Sequence, residues 1–468
     1  MVFSSVVFLF AFLPTVLIGY YLLNPIFRNV FLLCSSLFFY TWGEPKFIFV
    51  MIASIAINYI IGMLIDKIYL LMGKKGSVFV LAGGVLLNLA LLVYFKYFNF
   101  IVLNLNNIFN LNLVVQNIAL PIGISFFTFQ GMSYIIDLYR REIPVQRNPI
   151  SVALYISLFP QLIAGPIVRY SDIYLQINER KIDVEKFAQG IKRFIIGLSK
   201  KILLANVLGE VADLIFGTPF NQVDSLTAWL GIICYTMQIY FDFSGYSDMA
   251  IGLGKMFGFD FMENFNLPYI SKSITEFWRR WHISLSTWFR DYLYIPLGGN
   301  RSGNVYFNLL LVFVATGLWH GAAWNFLCWG LWHGLFLIIE RIVKKKGIRT
   351  SAPGLIKWGY TMFVVVIGWV LFRADGIQGA FHYLMSMFNF IERDFIRFSV
   401  WYYLDRHVLF TLFVAGVLSS HLPSYIMEKI KNAKCVMFVQ PATLLFLMVL
   451  CVVFVVNSSY NPFIYFRF

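Results

Sequence analysis

The chain has 468 residues, of which 59% are hydrophobic and only 13% are charged, against roughly 25% charged residues in an ordinary soluble domain. These figures exclude a water-soluble globular protein and predict an integral membrane protein. The formal net charge of +14 comes from Lys and Arg residues that stand between apolar stretches and not on one basic face, which fits the positive-inside rule and argues against a nucleic-acid partner.

Apolar windows follow one another along the whole chain without a polar linker. A bilayer core of roughly 30 Å requires about 20 apolar residues as a helix, because unpaired backbone groups are costly in lipid. The sequence therefore predicts one continuous all-α membrane domain over residues 1–468, with about eleven transmembrane helices. The windows are residues 1–27, 29–42, 47–65, 78–95, 119–136, 150–168, 225–241, 305–339 (long enough for two spans or for a span and a re-entrant helix), 358–372, 408–422 and 435–466.

The first window is expected to be a retained span and not a signal peptide. It lacks a basic start and a small-residue cleavage site before further apolar sequence follows. Three windows precede the loop that carries Lys67, Lys74 and Lys75. If that basic loop is cytoplasmic, the N-terminus lies outside.

Two further segments are not expected to cross the membrane as regular spans. Proline and glycine in residues 121–131 favour a distorted or re-entrant helix that lines a cavity. In residues 170–210, charges alternate with apolar residues at helical spacing, which predicts amphipathic helices in the cytoplasmic interface.

The cysteines give no sign of a metal centre or a disulfide framework. They show no CxxC pair and have no histidine at metal-ligand spacing, so we expect small packed apolar residues. The five are Cys34, Cys234, Cys328, Cys435 and Cys451.

Two carboxylates, Asp242 and Asp248, directly follow the apolar window that ends at residue 241. They can orient a histidine or pair with an arginine. Helix capping by Ser244 or Asp248 is an equally consistent interpretation.

A segment rich in Arg, Trp and Tyr, residues 277–301, contains Trp281 and His282. This composition is typical of an anchor at a membrane interface. The functional alternative is that its arginines bind the phosphates of an anionic donor while His282 points inward. The arginines are Arg279, Arg280, Arg290 and Arg301.

His320 stands in the middle of the uncharged window 305–339, with glycines at positions 317 and 321 and with Trp319 and Trp324 close by. Position alone does not separate a core histidine from a catalytic one. An imidazole in a dry pocket stays neutral, however, and a neutral base is what activation of a hydroxyl group requires. His333, thirteen residues further on, is expected to be structural.

Several common catalytic signatures are absent from the sequence. It contains no GxSxG elbow, P-loop, dinucleotide fingerprint or HExxH motif. These absences disfavour a serine hydrolase, an ATP-driven pump and a zinc protease.

The chain resembles the membrane-bound O-acyltransferases, and within them the branch that acetylates exported polysaccharides such as alginate. The resemblance runs from the first residues to the end of the chain. The segments that carry it are Met1-Val2-Phe3-Ser4-Ser5, Pro121 to Gly131, Phe159 to Ile167, Trp281 to Ser286, Pro296 to Arg301, Gly317 to Gly321 and Asn461-Pro462-Phe463-Ile464-Tyr465-Phe466.

The resemblance implies a helical fold with a thinned centre, with His320 as general base and His282 as the second active-site histidine, which binds the acceptor or polarises the thioester. Acetyl-CoA is the implied co-substrate, with no bound cofactor or metal. The implied location is the bacterial cytoplasmic membrane, among lipid, with an extracytoplasmic SGNH-like acyltransferase as partner and an exported polysaccharide as acceptor. The residues expected to contact substrates are Trp319, Trp281, Arg279, Arg280, Asn325 and Asp242.

Two alternatives stay open on the sequence alone. The sister branch that passes D-alanine to teichoic acid shares the histidine segments, but it is less similar around Gly298 to Arg301 and at the C-terminus. A polysaccharide transporter or scaffold would use the histidines to line a path or to brace helices, without any group transfer.

Overall fold

The computed structural model describes residues 1–348, 352–389, 395–430, 433, 436–458, 460–462 and 464. All regular elements in these ranges are helical, which confirms the predicted all-α class. Cys435 and the terminal residues Phe463, Tyr465 and Phe466, which the sequence analysis singled out, lie outside the described residues.

Residue contacts divide the chain into two compact units. The first consists of Met1–Phe194 and Ser247–Met262, and the second of Ile195–Tyr246 and Glu263–Phe468. The single domain expected over residues 1–468 is not tested by this division and stays a prediction.

Nine helices begin in the first unit, which also contains three short helical turns. The helices that begin in it are α1 (Leu13–Leu22), α2 (Arg28–Gly43), α3 (Ile48–Leu92), α4 (Phe98–Phe109), α5 (Ile124–Arg140), α6 (Pro149–Ser157), α7 (Phe159–Leu162), α8 (Tyr170–Asn178) and α9 (Val184–Ser199). Two π-helical turns (Phe8–Phe12 and Val93–Tyr97) and a 3-10 turn (Pro25–Phe27) adjoin them.

α3 covers most of the windows 47–65 and 78–95 as two helical halves, which agrees with the two separate helices that the sequence analysis expected. It runs for 45 residues and bends at Gly73, where φ is +69°. Glycine adopts this left-handed backbone without the Cβ clash that other residues meet. The two halves are tied together by the side-chain amides of Asn58 and Asn88, which donate to each other over 3.0 Å.

Two other segments of this unit, residues 121–131 and 150–168, differ in helical regularity from what the sequence predicts. The Pro121 segment was expected to form a distorted helix, but α5 is regular once Gly123, at φ +77°, has turned the chain into it. The window 150–168 instead breaks into α6 and the four-residue α7. Pro160 is part of α7, and a proline favours the first turn of a helix over its interior.

The second unit carries the longer run of helices. Those that begin in it are α10 (Asn206–Phe216), α11 (Ser225–Met256), α12 (Ile274–Arg280), α13 (Ile283–Phe289), α14 (Val305–His320), α15 (Trp324–Lys345), α16 (Gly354–Arg373), α17 (Gly376–Phe388), α18 (Val400–Tyr403), α19 (Arg406–Leu418), α20 (Leu422–Ile430) and α21 (Val436–Asn457). π-helical turns at Lys200–Ala205 and Arg290–Tyr294 and 3-10 turns at Phe220–Gln222 and Pro268–Ile270 complete it.

α14 and α15 form an antiparallel hairpin whose tip is the break at residues 321–323. Gly317 and Gly330 mark the closest approach of the two backbones. A Cβ at Gly317 would collide with the carbonyl oxygen of Phe326, and a Cβ at Gly330 with that of Phe313. Small residues permit such close helix packing in membranes. The window 305–339 thus holds two helices, and the first has 16 residues, or a length of about 24 Å.

Four helical stretches in the described part of the chain are long and apolar enough to cross a membrane. They are Ile48–Phe109, Trp324–Lys345, Gly354–Arg373 and Val436–Asn457, and the bent pair Arg406–Leu418 and Leu422–Lys429 would make a fifth. Only 6% of the apolar window of α21 is buried within the protein. An apolar surface of this extent fits lipid and not water. The predicted number of about eleven passages is not confirmed.

The stretch 170–210 is helical, as predicted, but part of it is buried. α8, α9 and α10 cover most of it. Lys201, in the π-helical turn between α9 and α10, is only 3% exposed, so this lysine does not face an aqueous interface.

We predict that Gly330→Ala lowers the stability of the detergent-purified protein by about 1–3 kcal/mol, because the added methyl group overpacks the α14–α15 contact. Gly359→Ala is the matched control, since a Cβ there meets no atom within 4 Å. Thermal unfolding measures both. Equal midpoints for the two variants would contradict the close approach.

Candidate active site

The hairpin tip places His320 at a helix end inside the second unit. His320 is the last residue of α14, and Gly321 continues in an extended conformation at φ −163°. The imidazole is buried, with the residue 6% exposed. α14 spans about 24 Å, which is shorter than the roughly 30 Å of a bilayer core.

Aromatic rings surround the His320 imidazole. The rings of Trp319, Trp329 and Phe372 each lie 5.0 Å from it, centroid to centroid, and all three meet it edge to face. Trp329 comes from α15 and Phe372 from α16. Such a wall excludes water and strengthens any electrostatic interaction within it.

A small cavity lies beside the His320 ring. Its volume is about 10 Å³, which is room for roughly one water-sized group. The described residues that line it are Ile239, Phe243, Trp281, His320, Trp329, Trp369, Phe372 and Ile464. The predicted Trp281 is therefore part of the His320 cavity, whereas His282 is not among these lining residues.

His282 is nevertheless connected to this cavity through shared neighbours. Its ring lies 6.2 Å from Trp319 and 5.4 Å from Phe243, centroid to centroid. Trp319 is thus in contact with both imidazoles, and Phe243 contacts His282 and lines the cavity. The structure brings the two predicted histidines into one aromatic cluster, with His282 itself 1% exposed.

The backbone around His282 wraps Asn264. His282 has φ +44°, a left-handed conformation that is strained for a residue with a Cβ and is often found at functional sites. Ile283 N–H donates to the carbonyl oxygen of Asn264 over 2.9 Å. Ser284 N–H and Oγ–H donate to Asn264 Oδ1 over 3.1 and 2.9 Å.

These contacts fix the tautomer of His282. Ser284 N–H can only donate, so the Asn264 atom that it contacts is the oxygen and not the amide nitrogen. The same oxygen lies 3.1 Å from His282 Nδ1, which must therefore carry the proton. Nε2 is left with its lone pair and is buried without a hydrogen-bond partner among the described residues. Burial away from water also lowers the pKa of His282, which keeps the ring neutral.

The predicted donor-binding arginines lie in different environments. Arg280 Nε donates to Glu276 Oε1 over 3.0 Å, and its Nη1 donates to the carbonyl oxygen of Asn266 over 3.1 Å. Arg279 is exposed and, with Arg290, lines a separate pocket of about 260 Å³. Apart from these arginines and a few hydroxyl groups, apolar and aromatic side chains line this pocket.

Two other predicted substrate contacts make bonds within the fold. Asn325 Nδ2 donates to the carbonyl oxygens of Leu371 and Ala374 over 3.2 and 3.1 Å, so this side chain fixes the start of α15 to the end of α16. Asp242 forms a buried ion pair with Lys201 over 2.8 Å. The expected partner was a histidine or an arginine, which is wrong for Asp242 but confirmed for Asp248, whose Oδ1 lies 2.6 Å from Arg193 Nη2.

Two further expectations concern residues near the site. Neither Ser244 nor Asp248 caps a helix, because α11 continues through both to Met256. His333 is fully buried, and its ring lies 5.2 Å from each of Trp278 and Trp329, centroid to centroid. This packing agrees with the structural role expected for His333.

The sequence analysis did not assign Asn264, Trp329, Phe372 or Ile464 to the site, although Ile464 lies in the C-terminal segment that carries the resemblance. A polar residue in the Phe-rich stretch before α12 is the one local signal for Asn264. The other three are ordinary apolar residues of helices and of the chain end, and their sequence gives no sign that they meet at His320.

Comparison with known proteins identifies the family. Residues 138–377 match the model of the MBOAT, membrane-bound O-acyltransferase family. A probable alginate O-acetylase AlgI of Pseudomonas aeruginosa is 49% identical over 83% of this chain and 75% of its own length.

Two other relatives cover most of the chain. The probable alginate O-acetylase AlgI of Pseudomonas putida is 43% identical over the full length of both chains. A peptidoglycan O-acetyltransferase of Helicobacter pylori is 37% identical over 83% of this chain and 80% of its own length. The chain therefore belongs to the membrane-bound O-acyltransferase family and is an O-acyltransferase built for the membrane.

Proposed function

We propose that the protein takes an acetyl group from cytosolic acetyl-CoA and passes it across the bacterial cytoplasmic membrane toward a hydroxyl group of an exported, alginate-like polysaccharide. The relatives support acetyl as the group, since all three are named for O-acetyl transfer. The structural observation that carries the proposal is His320, buried at the tip of a hairpin and beside a cavity with apolar walls.

Charge supports the choice of donor and the side from which it arrives. α14 and α15 are antiparallel, so Arg301, just before α14, and Lys344 and Lys345, at the end of α15, lie at the same end of the hairpin. Basic residues favour the cytoplasmic side. Arg279, at the rim of the largely apolar pocket, also offers a cation for a phosphate of coenzyme A, whereas Arg290 on the same pocket is paired with Asp291 over 2.7 Å.

The proposed chemistry needs one base and one thioester. The His320 imidazole removes the proton of the acceptor hydroxyl while the oxygen forms a bond to the acetyl carbonyl carbon. The carbon–sulfur bond then breaks, and the proton passes from the imidazole to the departing thiolate of coenzyme A. Trp319 and its aromatic neighbours exclude the water that would otherwise hydrolyse the thioester.

His282 has a complementary part in this scheme. Its Nε2 carries a lone pair, so the neutral ring accepts a hydrogen bond there and does not donate one. It is therefore suited to accept a hydrogen bond from a second hydroxyl group of the acceptor, beside the one that reacts, and not to polarise the thioester carbonyl. Asn264 acts as a positioning residue, because it sets which nitrogen carries the proton.

The last part of the proposal concerns the acceptor. An extracytoplasmic SGNH-like acyltransferase receives the acetyl group and esterifies the exported polysaccharide. Transfer of D-alanine to teichoic acid is the competing substrate assignment. A mere transporter or scaffold does not fit a member of an acyltransferase family.

The first prediction tests His320. The protein is purified into lipid vesicles and supplied with labelled acetyl-CoA and an alginate oligosaccharide as the hydroxyl acceptor, and release of free coenzyme A and transfer of the label to the acceptor are measured. His320→Asn should lower the rate by about 10²–10⁴-fold, the usual contribution of a general base. His407→Asn, at an exposed histidine of the same unit, is the control. A folded His320→Asn variant with full activity would refute the mechanism, and label taken only from a D-alanyl donor would favour the competing assignment.

The second prediction concerns Asn264. Asn264→Ala removes the acceptor that holds the proton on His282 Nδ1, and we expect kcat to fall by about 10–100-fold, as for other residues that orient a catalytic side chain. Asn264→Asp keeps an oxygen at this place and should recover most of the activity. Asn266→Ala, at an exposed neighbour, is the control. Equal losses in the Ala and Asp variants would show a structural role only.

The third prediction separates the two arginines. Arg279→Glu should raise the KM for acetyl-CoA by about 10–100-fold with little change in kcat, because a hydrogen bond to a charged group contributes about 1.5–3 kcal/mol. Arg280→Gln is the control, since Arg280 is already paired with Glu276. If KM is unchanged in Arg279→Glu, the pocket beside it does not bind the donor.

A further inference from the structure

The C-terminal segment of the chain reaches the His320 cavity. Ile464 is one of the residues that line this cavity, and it is 3% exposed. The other walls belong to helices or lie next to them: Ile239 and Phe243 come from α11, Trp329 from α15, and Trp369 and Phe372 from α16. The end of the chain thus closes a space whose remaining walls are set by helix packing.

A buried ion pair fixes Ile464 in this place. Its backbone N–H donates to Asp242 Oδ2 over 2.9 Å. Asp242 Oδ1 lies 2.8 Å from Lys201 Nζ, and the same ammonium group donates to the carbonyl oxygen of Pro462. The side chains of Lys201 and Asp242 are 3% and 1% exposed. Both charges of the pair therefore hold backbone atoms of the C-terminal segment.

A second polar contact holds the start of the same segment. Tyr460 O–H donates to Asp213 Oδ2 over 2.7 Å, and Arg373 Nη2 donates to Asp213 Oδ1 over 2.9 Å. Arg373 directly follows Phe372, which lines the cavity. The segment is thus tied on both sides of Pro462, and the position of Ile464 is determined by more than its own packing.

The Lys201–Asp242 pair is better explained by the backbone atoms that it positions than by a contribution to the stability of the fold. A buried ion pair commonly stabilises a fold no more than apolar residues of the same size would, because both charges lose their water. The Lys201–Asp242 pair holds the backbone of the C-terminal segment so that the Ile464 side chain lies at the cavity.

The size and polarity of the cavity point to what it accepts. Its volume of about 10 Å³ holds roughly one water-sized group, and a methyl group is of similar size. Trp281, Trp329, Trp369 and Phe372 pack on one another, with ring centroids 4.8 to 6.3 Å apart. These closely packed rings cannot move aside without disturbing one another. The aliphatic Ile464 is the wall residue that can be shortened without altering a helix.

We propose that Ile464, held by the Lys201–Asp242 pair, limits the length of the acyl group that the enzyme transfers, so that the methyl end of an acetyl group fits beside His320 and a longer chain does not. This inference rests on the proposed function, since it takes an acyl-CoA as donor. It makes Ile464 a specificity-determining residue, and Lys201 and Asp242 positioning residues.

The experiment compares acetyl-CoA with propionyl-CoA, using protein purified into lipid vesicles, the same alginate oligosaccharide acceptor throughout, and release of free coenzyme A as the readout. The measured quantity is the ratio of kcat/KM for propionyl-CoA to that for acetyl-CoA. In Ile464→Ala we expect this ratio to rise about tenfold or more, because one methylene group in an apolar pocket changes discrimination by about 10–200-fold. General damage to the fold would lower both values together and leave their ratio unchanged.

Three further variants sharpen the test. Ile232→Ala removes the same atoms from an isoleucine that is fully buried in the same unit but does not line the cavity, and its ratio should equal that of the wild type. Ile464→Val should give a smaller change in the same direction. The double variant Lys201→Met/Asp242→Leu, which releases the segment without leaving a buried charge unpaired while Ile464 stays in the sequence, should also raise the ratio.

The outcomes separate this inference from the proposed function. A wild-type protein that releases no coenzyme A from acetyl-CoA overturns the proposed function and this inference with it. A wild-type protein that is active, together with Ile464→Ala and Ile464→Val variants whose ratios equal the wild-type ratio, overturns this inference and leaves the proposed function intact.

Discussion

The close approach of α14 and α15 at Gly317 and Gly330 is the contact on which the site depends. With no Cβ between them, the two backbones lie near enough for Trp329 of α15 to reach the imidazole at the end of α14. In lipid there is no hydrophobic force to drive two apolar helices together, so close packing of small residues has to supply the association. The hairpin therefore fixes both the depth of His320 and the aromatic walls around it.

A charged imidazole would be costly to bury among aromatic rings, and this constraint applies to both histidines. His282 stays neutral because it is buried, and it keeps one defined tautomer because a single oxygen of Asn264 receives its proton and that of the Ser284 amide. His320 is surrounded edge to face by three aromatic rings. A neutral ring costs far less to bury than a charged one, and it is also the form that can take a proton from an alcohol.

The sequence analysis predicted the features that depend on residues close together in the chain and missed those that depend on contacts between distant segments. The windows 29–42 and 358–372 became α2 and α16 with ends shifted by at most about four residues, because apolar length is a local property. The windows 47–65 and 78–95 became the two halves of α3, which are separated at Gly73 in the stretch that the sequence shows as a charged loop. His320, His282 and Trp281 were found from their local motifs. Asn264, Phe372 and Ile464 contribute through contacts between segments far apart in the chain, which a single sequence does not reveal.

Lys201 has a different structural role in the fold from the one that its sequence environment suggests. In the sequence it belongs to an amphipathic stretch, where a lysine normally reaches water. In the fold it is 3% exposed and paired with Asp242. Removing one partner would leave an uncompensated charge in the interior, which is strongly destabilising, while replacing both by apolar residues would cost little stability. Since the pair also holds two backbone atoms of the C-terminal segment, its clearest structural effect is to position that segment. Ile464 is thereby part of the wall around His320, and this wall is complete only when Ile464 has packed against the helices.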